Sequence, residues 1–229
     1  MYKNKQFQKL AKKYSTYQDE GSVGAMMNVC HKNLEISEYL QKFHKHSKIL
    51  EIGAGSSPHV KYVKHEFSEY YFLENSKFEI NFLKKKYNNR EKFRFKLYNG
   101  KKIPFEDNYF DRIIISHVLE HIIEPEAFLE EMMLKVKKNG LVSISLPIDP
   151  GLMWRCGRFF LKLFNVKKKL NISNLEYDYM IATEHVNSIF NLISIIKYRY
   201  TKKIITEQYL PLRVKILDFN LFYNVTIKK

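Results

Sequence analysis

The chain has 229 residues, 45% of them hydrophobic, enough for one buried core of ordinary size. No apolar run approaches ~18 residues, so no membrane-spanning helix is expected. Lys and Arg outnumber Asp and Glu by 39 to 24, a net charge of +15. The lysines are scattered, with small clusters at 84–86 and 167–169, and Lys, Asn, Ile, Tyr and Phe are abundant together. That pattern reads first as AT-rich coding bias. Attraction to phosphorylated substrates, an anionic membrane surface or nucleic acid are the functional alternatives, and charge alone does not choose among them. Cys30 and Cys156 have no metal-ligand spacing and form no disulfide framework. They are expected to be reduced thiols in a cytoplasmic protein, and no metal is expected. The first 14 residues lack the apolar stretch of a signal peptide.

Residues 1–20 are polar and aromatic. From Ser22, a candidate N-cap, to about Phe43, apolar residues recur at helical spacing (Val23, Met26, Met27, Cys30, Leu34, Tyr39, Leu40). This leading segment and helix are expected to cover the mouth of the sheet that follows. Residues 48–52 read as a strand that runs into Gly53-Ala54-Gly55-Ser56. Ser57-Pro58 then looks like the start of a helix of about ten residues, to Phe67. Gly53 and Gly55 allow a sharp turn and a close backbone approach to a ligand. The third glycine of a dinucleotide fingerprint would be residue 58, which is Pro58, so NAD and FAD lose ground.

A second strand, 70–73, ends in Glu74. A helix over 77–87 is expected to turn Phe78, Phe82 and Leu83 inward. Residues 93–97 alternate as a third strand, followed by the turn-rich Asn99-Gly100-Lys101-Lys102. Residues 111–116 are nearly all apolar, as expected of a strand covered on both faces. A helix over 126–138 places Phe128, Leu129, Met132, Met133 and Val136 on one face, with Asn139-Gly140 as its left-handed cap. Residues 141–146 form a fifth strand. The order of elements means a mainly parallel, doubly wound α/β sheet. Residues 148–184 are basic and aromatic, 186–200 form another helix, and two closing strands fall at 204–210 and 221–227.

Five motifs then carry a resemblance. Glu51-x-Gly53-x-Gly55, Glu74 at the end of the second strand, Ile103-Pro104-Phe105-Glu106-Asp107-Asn108-Tyr109-Phe110-Asp111, Ser116-His117-Val118-Leu119-Glu120-His121 and Lys135-Val136-Lys137-Lys138-Asn139-Gly140 occur in order over about 46–147. Together the chain resembles the class I S-adenosylmethionine-dependent methyltransferases. The resemblance implies an α/β, Rossmann-like, doubly wound and mostly parallel seven-stranded sheet, with helices on both faces and a helical cap. With no internal repeat or low-complexity linker in the sequence, one domain is expected over 1–229: a cap (1–45), a cofactor-binding core (46–147), an acceptor-lid insertion (148–184), and a last helix with two closing strands (185–229).

The cofactor implied is S-adenosyl-L-methionine, held by Tyr17, Glu51, Gly53, Ala54, Gly55, Ser56, Glu74, Asn75, Asn99, Gly100, Ser116 and His117. Within that set Glu51 acts through water or the turn's N–H groups, or only braces the loop. An ionised Glu74 suits two ribose hydroxyls. Asn99 stands where the family commonly has an Asp, and serves either as adenine acceptor or as a plain Asn-Gly turn.

Methyl transfer to oxygen needs a base. Ligands bind at the carboxyl ends of the strands, which makes His117, His185 and Asp149 the candidates, while His121 is read as packing or a cap. In the insertion, Arg155, Arg158 and the lysines could hold phosphate, and Trp154, Tyr177 and Tyr179 could stack on a ring; most of its phenylalanines are expected to pack in the core. A looser likeness, in Asp149-Pro150-Gly151 and Glu184-His185-Val186-Asn187, is to methyltransferases of bacterial surface-polysaccharide pathways. It implies O-methylation of a sugar, nucleotide-linked or capsule precursor, with a phosphorylated acceptor within reach of the basic residues. RNA ribose methylation, peripheral action on a membrane lipid or quinone, and a non-catalytic cofactor-binding module are the competing readings. Nucleic acid is not the expected partner.

Overall fold

The computed structural model describes residues 21–35, 38–55, 59–87, 91–164 and 173–229. Among them seven strands form one sheet: β1 Lys48–Ile52, β2 Glu69–Glu74, β3 Phe93–Leu97, β4 Phe110–Ser116, β5 Val136–Pro147, β6 Ile204–Leu210 and β7 Phe222–Lys228. Their order is β3-β2-β1-β4-β5-β7-β6. The first five run parallel, and β7 is inserted antiparallel to both β5 and β6. This is the expected mostly parallel, seven-stranded α/β sheet.

Side chains alternate across each strand, so the apolar runs feed two cores. Leu50, Ile52, Ile113 and Ile115 pack with Phe128, Leu129 and Met132 of α3 (Pro125–Lys135) and with Ile189, Leu192 and Ile196 of α6 (Ile189–Tyr200). Ile49, Tyr70, Phe72 and Ile114 face the other way and pack with Leu83 of α2 (Lys77–Tyr87). The helix α1 (Gly21–Leu34) lies over β7 and β5, tied by the Asn224 Nδ2 bond to the Cys30 carbonyl (2.8 Å). Two further helices, α4 (Leu152–Phe164) and α5 (Asn174–Glu184), fall within the 148–184 segment. No helix among the described residues is long and apolar enough to cross a membrane.

The structure corrects several boundaries. After β1 the described chain forms only a 3₁₀ turn, His59–Tyr62, in place of a ten-residue helix. Carboxylates take the backbone donors there: His59 N–H donates to Glu51 (2.5 Å) and Lys64 N–H to Glu35 (3.4 Å). The leading helix ends at Leu34, and Glu38–Lys42 is a separate 3₁₀ turn. Ile80 and Leu83 are the buried face of α2, whereas Phe78 and Phe82 are exposed.

Helix α3 stops at Lys135, because Val136 is already extended and pairs with Phe110. Asn139 does adopt a left-handed φ of 65°, but within β5, where the Asn139-Gly140 pair bonds to Lys229 of the last strand's end. Helix α6 starts at Ile189, capped by the Ser188 hydroxyl, since the N–H groups of Val186 and Asn187 donate to the Glu120 carbonyl instead. In the 148–184 segment Phe159 and Phe160 are exposed, not core.

Candidate active site

Strand order reverses between β1 and β4. At that switch point the carboxyl ends of the strands open a crevice. On one side is the Gly53–Gly55 turn. Gly53 has φ 68°, and a Cβ there would sit 2.3 Å from Cγ2 of Val118, in the segment that follows β4. Only glycine fits that close approach. Gly55 has φ 55°, and a Cβ there would meet nothing within 4 Å, so the turn's outer side is open among the described residues. Its N–H donates to Glu74 Oε1 (2.6 Å). Ala54 between the two glycines is buried.

Glu51 and Glu74 end neighbouring strands but serve differently. Both oxygens of Glu51 are occupied from within the protein, by His59 N–H (2.5 Å) and the Tyr70 hydroxyl (2.7 Å). It braces the turn from beneath the sheet, and burial pushes its carboxyl up to about 7. Burial likewise pushes Glu74 up to about 8, against the lowering effect of the Gly55 N–H. Beyond β3, Asn99 Oδ1 accepts the N–H groups of Lys101 (2.9 Å) and Lys102 (3.4 Å), forming a side-chain turn. Gly100 is left-handed (φ 75°), and the Asn75 amide lies against it. The Ser116 hydroxyl at the end of β4 is buried with no hydrogen-bond partner among the described residues. Tyr17 and Ser56 lie outside the described residues.

The opposite side of the crevice is a histidine–carboxylate cluster. His117 follows β4 with a left-handed φ of 55°. Its Nε2 is 3.4 Å from the Cys30 thiol, and its ring meets Phe222 edge-on. Burial, then the neighbouring His185 and His121, push it down to about 3, so it is neutral and a poor proton acceptor. His185 Nδ1 lies 2.8 Å from Asp149 Oδ2, and Arg158 of α4 bonds the other oxygen of Asp149. Burial works against the charged form of His185, but the Asp149 hydrogen bond and the Glu120, Asp149 and Glu184 carboxylates raise it overall. The ring of His121 stands edge-on to that of His185, with centroids 5.0 Å apart, and Glu120 is buried beside both.

Thus His185 and Asp149 come together as one pair, and His117 stands apart from them. Glu120, His121 and Arg158 were not singled out by sequence reasoning as partners in this cluster. Arg158 was visible only as one basic residue of several, and nothing in the sequence links 120–121 to 185. Trp154 packs beside Phe222, Tyr177 is buried, and Tyr179 is exposed.

Comparison with known proteins bears on the family and the fold. Residues 50–144 match the family described as methyltransferase domain. A demethylmenaquinone methyltransferase of Corynebacterium urealyticum is 29% identical over 93 residues, which is 39% of this chain and 40% of that protein's length. Among solved structures, a SAM-dependent methyltransferase from Aquifex aeolicus superposes with a TM-score of 0.61 at 15% identity, over 95% of this chain and 97% of that one. The plantazolicin methyltransferase BpumL, solved in complex with SAH, gives 0.60 at 15% identity, over 97% and 96%. Residues 50–144 are thus similar to a methyltransferase domain, whose methyl donor is S-adenosylmethionine, and the chain shares the fold of solved SAM-dependent methyltransferases, while it spans less than half the length of the curated relative it matches.

The crevice fits that donor. A left-handed glycine turn, a buried carboxylate at the end of β2 and a Ser116 hydroxyl without a partner among the described residues are the features a sulfonium nucleoside would use.

Proposed function

We propose that this methyltransferase modifies a hydroxyl of a small molecule, a sugar or nucleotide-linked precursor of a surface polysaccharide. The carrying observation is that the two segments behind that likeness are bonded to each other beside the end of β4. Asp149 meets His185 (2.8 Å), the Ile189 N–H donates to the Asp149 carbonyl (2.9 Å), and Val186 and Asn187 N–H groups donate to the Glu120 carbonyl (3.0 and 3.1 Å).

When bound, S-adenosylmethionine supplies a methyl group on sulfur for in-line displacement. Gly53 and Gly55 admit its amino-acid end, and Glu74 accepts the ribose hydroxyls once it gives up the Gly55 N–H or shares it. Gly100 and Asn75 flank the adenine end, where Asn99 works as a turn-former. Across the crevice, Asp149 fixes the His185 tautomer, so that its other nitrogen, Nε2, is presented to the acceptor. The hydroxyl loses its proton within this cluster, and the chain's main contribution beyond that is alignment of the two reactants. Arg155 makes no ion pair among the described residues and is exposed beside the cluster's helix, where a phosphorylated acceptor would meet it.

The test is S-adenosylhomocysteine formation by the full chain against a panel of nucleotide-linked sugars, with a panel of amines alongside. Transfer to hydroxyls that collapses in His185→Ala supports the proposal. Transfer confined to amines and indifferent to His185 contradicts it.

A second reading has its own observation. Helix α4 exposes Leu152, Met153, Phe159, Phe160 and Leu163 together with Arg155, a composition suited to anionic headgroups. Acceptors would then be lipid-borne, in keeping with the quinone-modifying relative. Co-sedimentation with anionic liposomes that is lost in Phe159→Ser/Phe160→Ser favours it; no co-sedimentation removes it.

A further inference from the structure

We propose that Glu120, His121 and His185 hold a divalent transition-metal ion in the crevice. One ligating atom from each lies within 4.8 Å of the other two. The two imidazoles are prepared as ligands in the same way. His121 Nδ1 is bonded to the Glu184 carbonyl (2.8 Å) and His185 Nδ1 to the Asp149 carboxylate (2.8 Å). Each acceptor holds the proton on Nδ1 and leaves Nε2 with its lone pair free. An oxygen behind each ligating imidazole is the usual support of a metal-bound histidine. Arg158, on the other oxygen of Asp149, holds that support in place.

Glu120 supplies the second, independent observation. It is 2% exposed, and its Oε2 is buried with no hydrogen-bond partner among the described residues. Its Oε1 stands 3.9 Å from His117 Nδ1 and 3.8 Å from His121 Nε2, beyond hydrogen-bond length. A buried carboxylate left unsatisfied between imidazoles is costly without a cation. The side chain of His121 is 34% exposed, which leaves an entry path from solvent. Metal–ligand bonds of ~2.1 Å place ligand atoms roughly 3.4 Å apart, so modest side-chain rotation closes the site. Two imidazoles and one carboxylate suit zinc, iron or cobalt more than magnesium or calcium, and leave a position open for an acceptor oxygen.

This deepens the reading above and, for its catalytic part only, rests on it. With the ion bound, His185 Nε2 would ligate it instead of meeting the acceptor, and a hydroxyl on the open position would lose its proton more readily, to solvent water on the exposed side of His121. Metal binding itself does not depend on the acceptor.

The experiment is titration of the metal-stripped full chain with Co²⁺, followed by visible absorption and checked by competition with Zn²⁺. We expect one equivalent per chain, at least ~100-fold weaker binding in Glu120→Gln and in His121→Ala, and ~10–100-fold weaker binding in the supporting variant Asp149→Asn. Calorimetry with S-adenosylhomocysteine shows that each variant is folded. Absence of stoichiometric Co²⁺ uptake, or uptake undiminished in a folded Glu120→Gln/His121→Ala double variant, overturns the proposal. If the ion binds and hydroxyls are not methylated, the function proposed above fails and the metal site stands. If hydroxyls are methylated by a chain that takes up no metal, the reverse holds.

Discussion

Two histidine–carboxylate clusters, alike in composition, sit in different parts of this molecule. The first joins α1 to the sheet. Glu35 accepts from Arg112 (2.6 Å) and His59 (2.7 Å), His59 meets His31 (2.9 Å), and Arg112 reaches His65, Ser143 and the carbonyl of Leu34 at the end of α1. The Glu35, His59 and Arg112 side chains are fully buried and bonded to one another. In the second, Glu120 is also buried but has an oxygen without a partner among the described residues, and the side chain of His121 beside it is partly exposed. Residue types therefore do not separate a brace from a reactive centre, whereas satisfaction of the carboxylate does. The first cluster should govern stability and the second chemistry.

The largest expected effect is on turnover. His185→Ala should lower kcat by about 10²–10⁴ while thermal stability and cofactor affinity change little, as read by single-turnover transfer and calorimetry. Arg112→Ala should do the opposite. Leaving Glu35 buried without its partner costs about 3–5 kcal/mol, visible in urea unfolding, with kcat of the folded fraction near wild type. A stable Arg112→Ala protein with lost turnover would erase the distinction between the clusters.

Acid should separate them next. Burial pushes the Glu35 carboxyl up, but the Arg112 guanidinium and the hydrogen bond from His59 outweigh it and bring it from 4.5 down to about 2. A carboxyl depressed on folding stabilises the native state above its ordinary value. About 3 kcal/mol should be fully present above pH ~4.5 and be lost as the pH falls toward 2. Glu35→Gln should flatten that part of the stability profile, and an unchanged profile would show that other groups set it.

The smallest contrast lies within the glycine turn. Gly53→Ala combines a left-handed φ with a Cβ pressed onto Val118, a side chain stiff at χ1, and should weaken S-adenosylmethionine binding about tenfold or more. A Cβ at Gly55 meets no atom among the described residues, so Gly55→Ala carries only the backbone term and should weaken S-adenosylmethionine binding less than Gly53→Ala does. Equal effects would mean that the Val118 contact is not what fixes Gly53.

How much of this was legible in the sequence follows from distance along the chain. The glycine turn and the strand-end place of Glu74 were readable because Gly53, Gly55 and Glu74 lie within 22 residues on successive elements. The sheet was readable because Ile113, Ile114 and Ile115 declare a strand buried on both faces. Where competing partners decided, sequence reasoning went astray. Glu51 and Glu35 took the backbone donors of the 59–64 segment and left a 3₁₀ turn where a helix was expected. Strand pairing took Val136 out of α3.

The second cluster was legible least. Its parts, Glu120, His121, Asp149, Arg158 and His185, come from four separate segments, and the sequence marked Asp149 and His185 by their place relative to the sheet's mouth and by the looser likeness of the segments that hold them, with nothing to join them to Glu120, His121 or Arg158. His117, marked equally, proved to be a neutral ring between Cys30 and Phe222. Asn99 uses its oxygen within its own turn.

The account rests on the donor cradle facing the second cluster, and Glu74 is the residue that fixes the cradle's position. Calorimetric titration of S-adenosylmethionine into wild type and Glu74→Ala tests it without knowledge of the acceptor. Loss of the two ribose hydrogen bonds should weaken binding by about tenfold or more. Unchanged affinity would contradict the placement of the donor and, with it, the assignment of the cluster opposite.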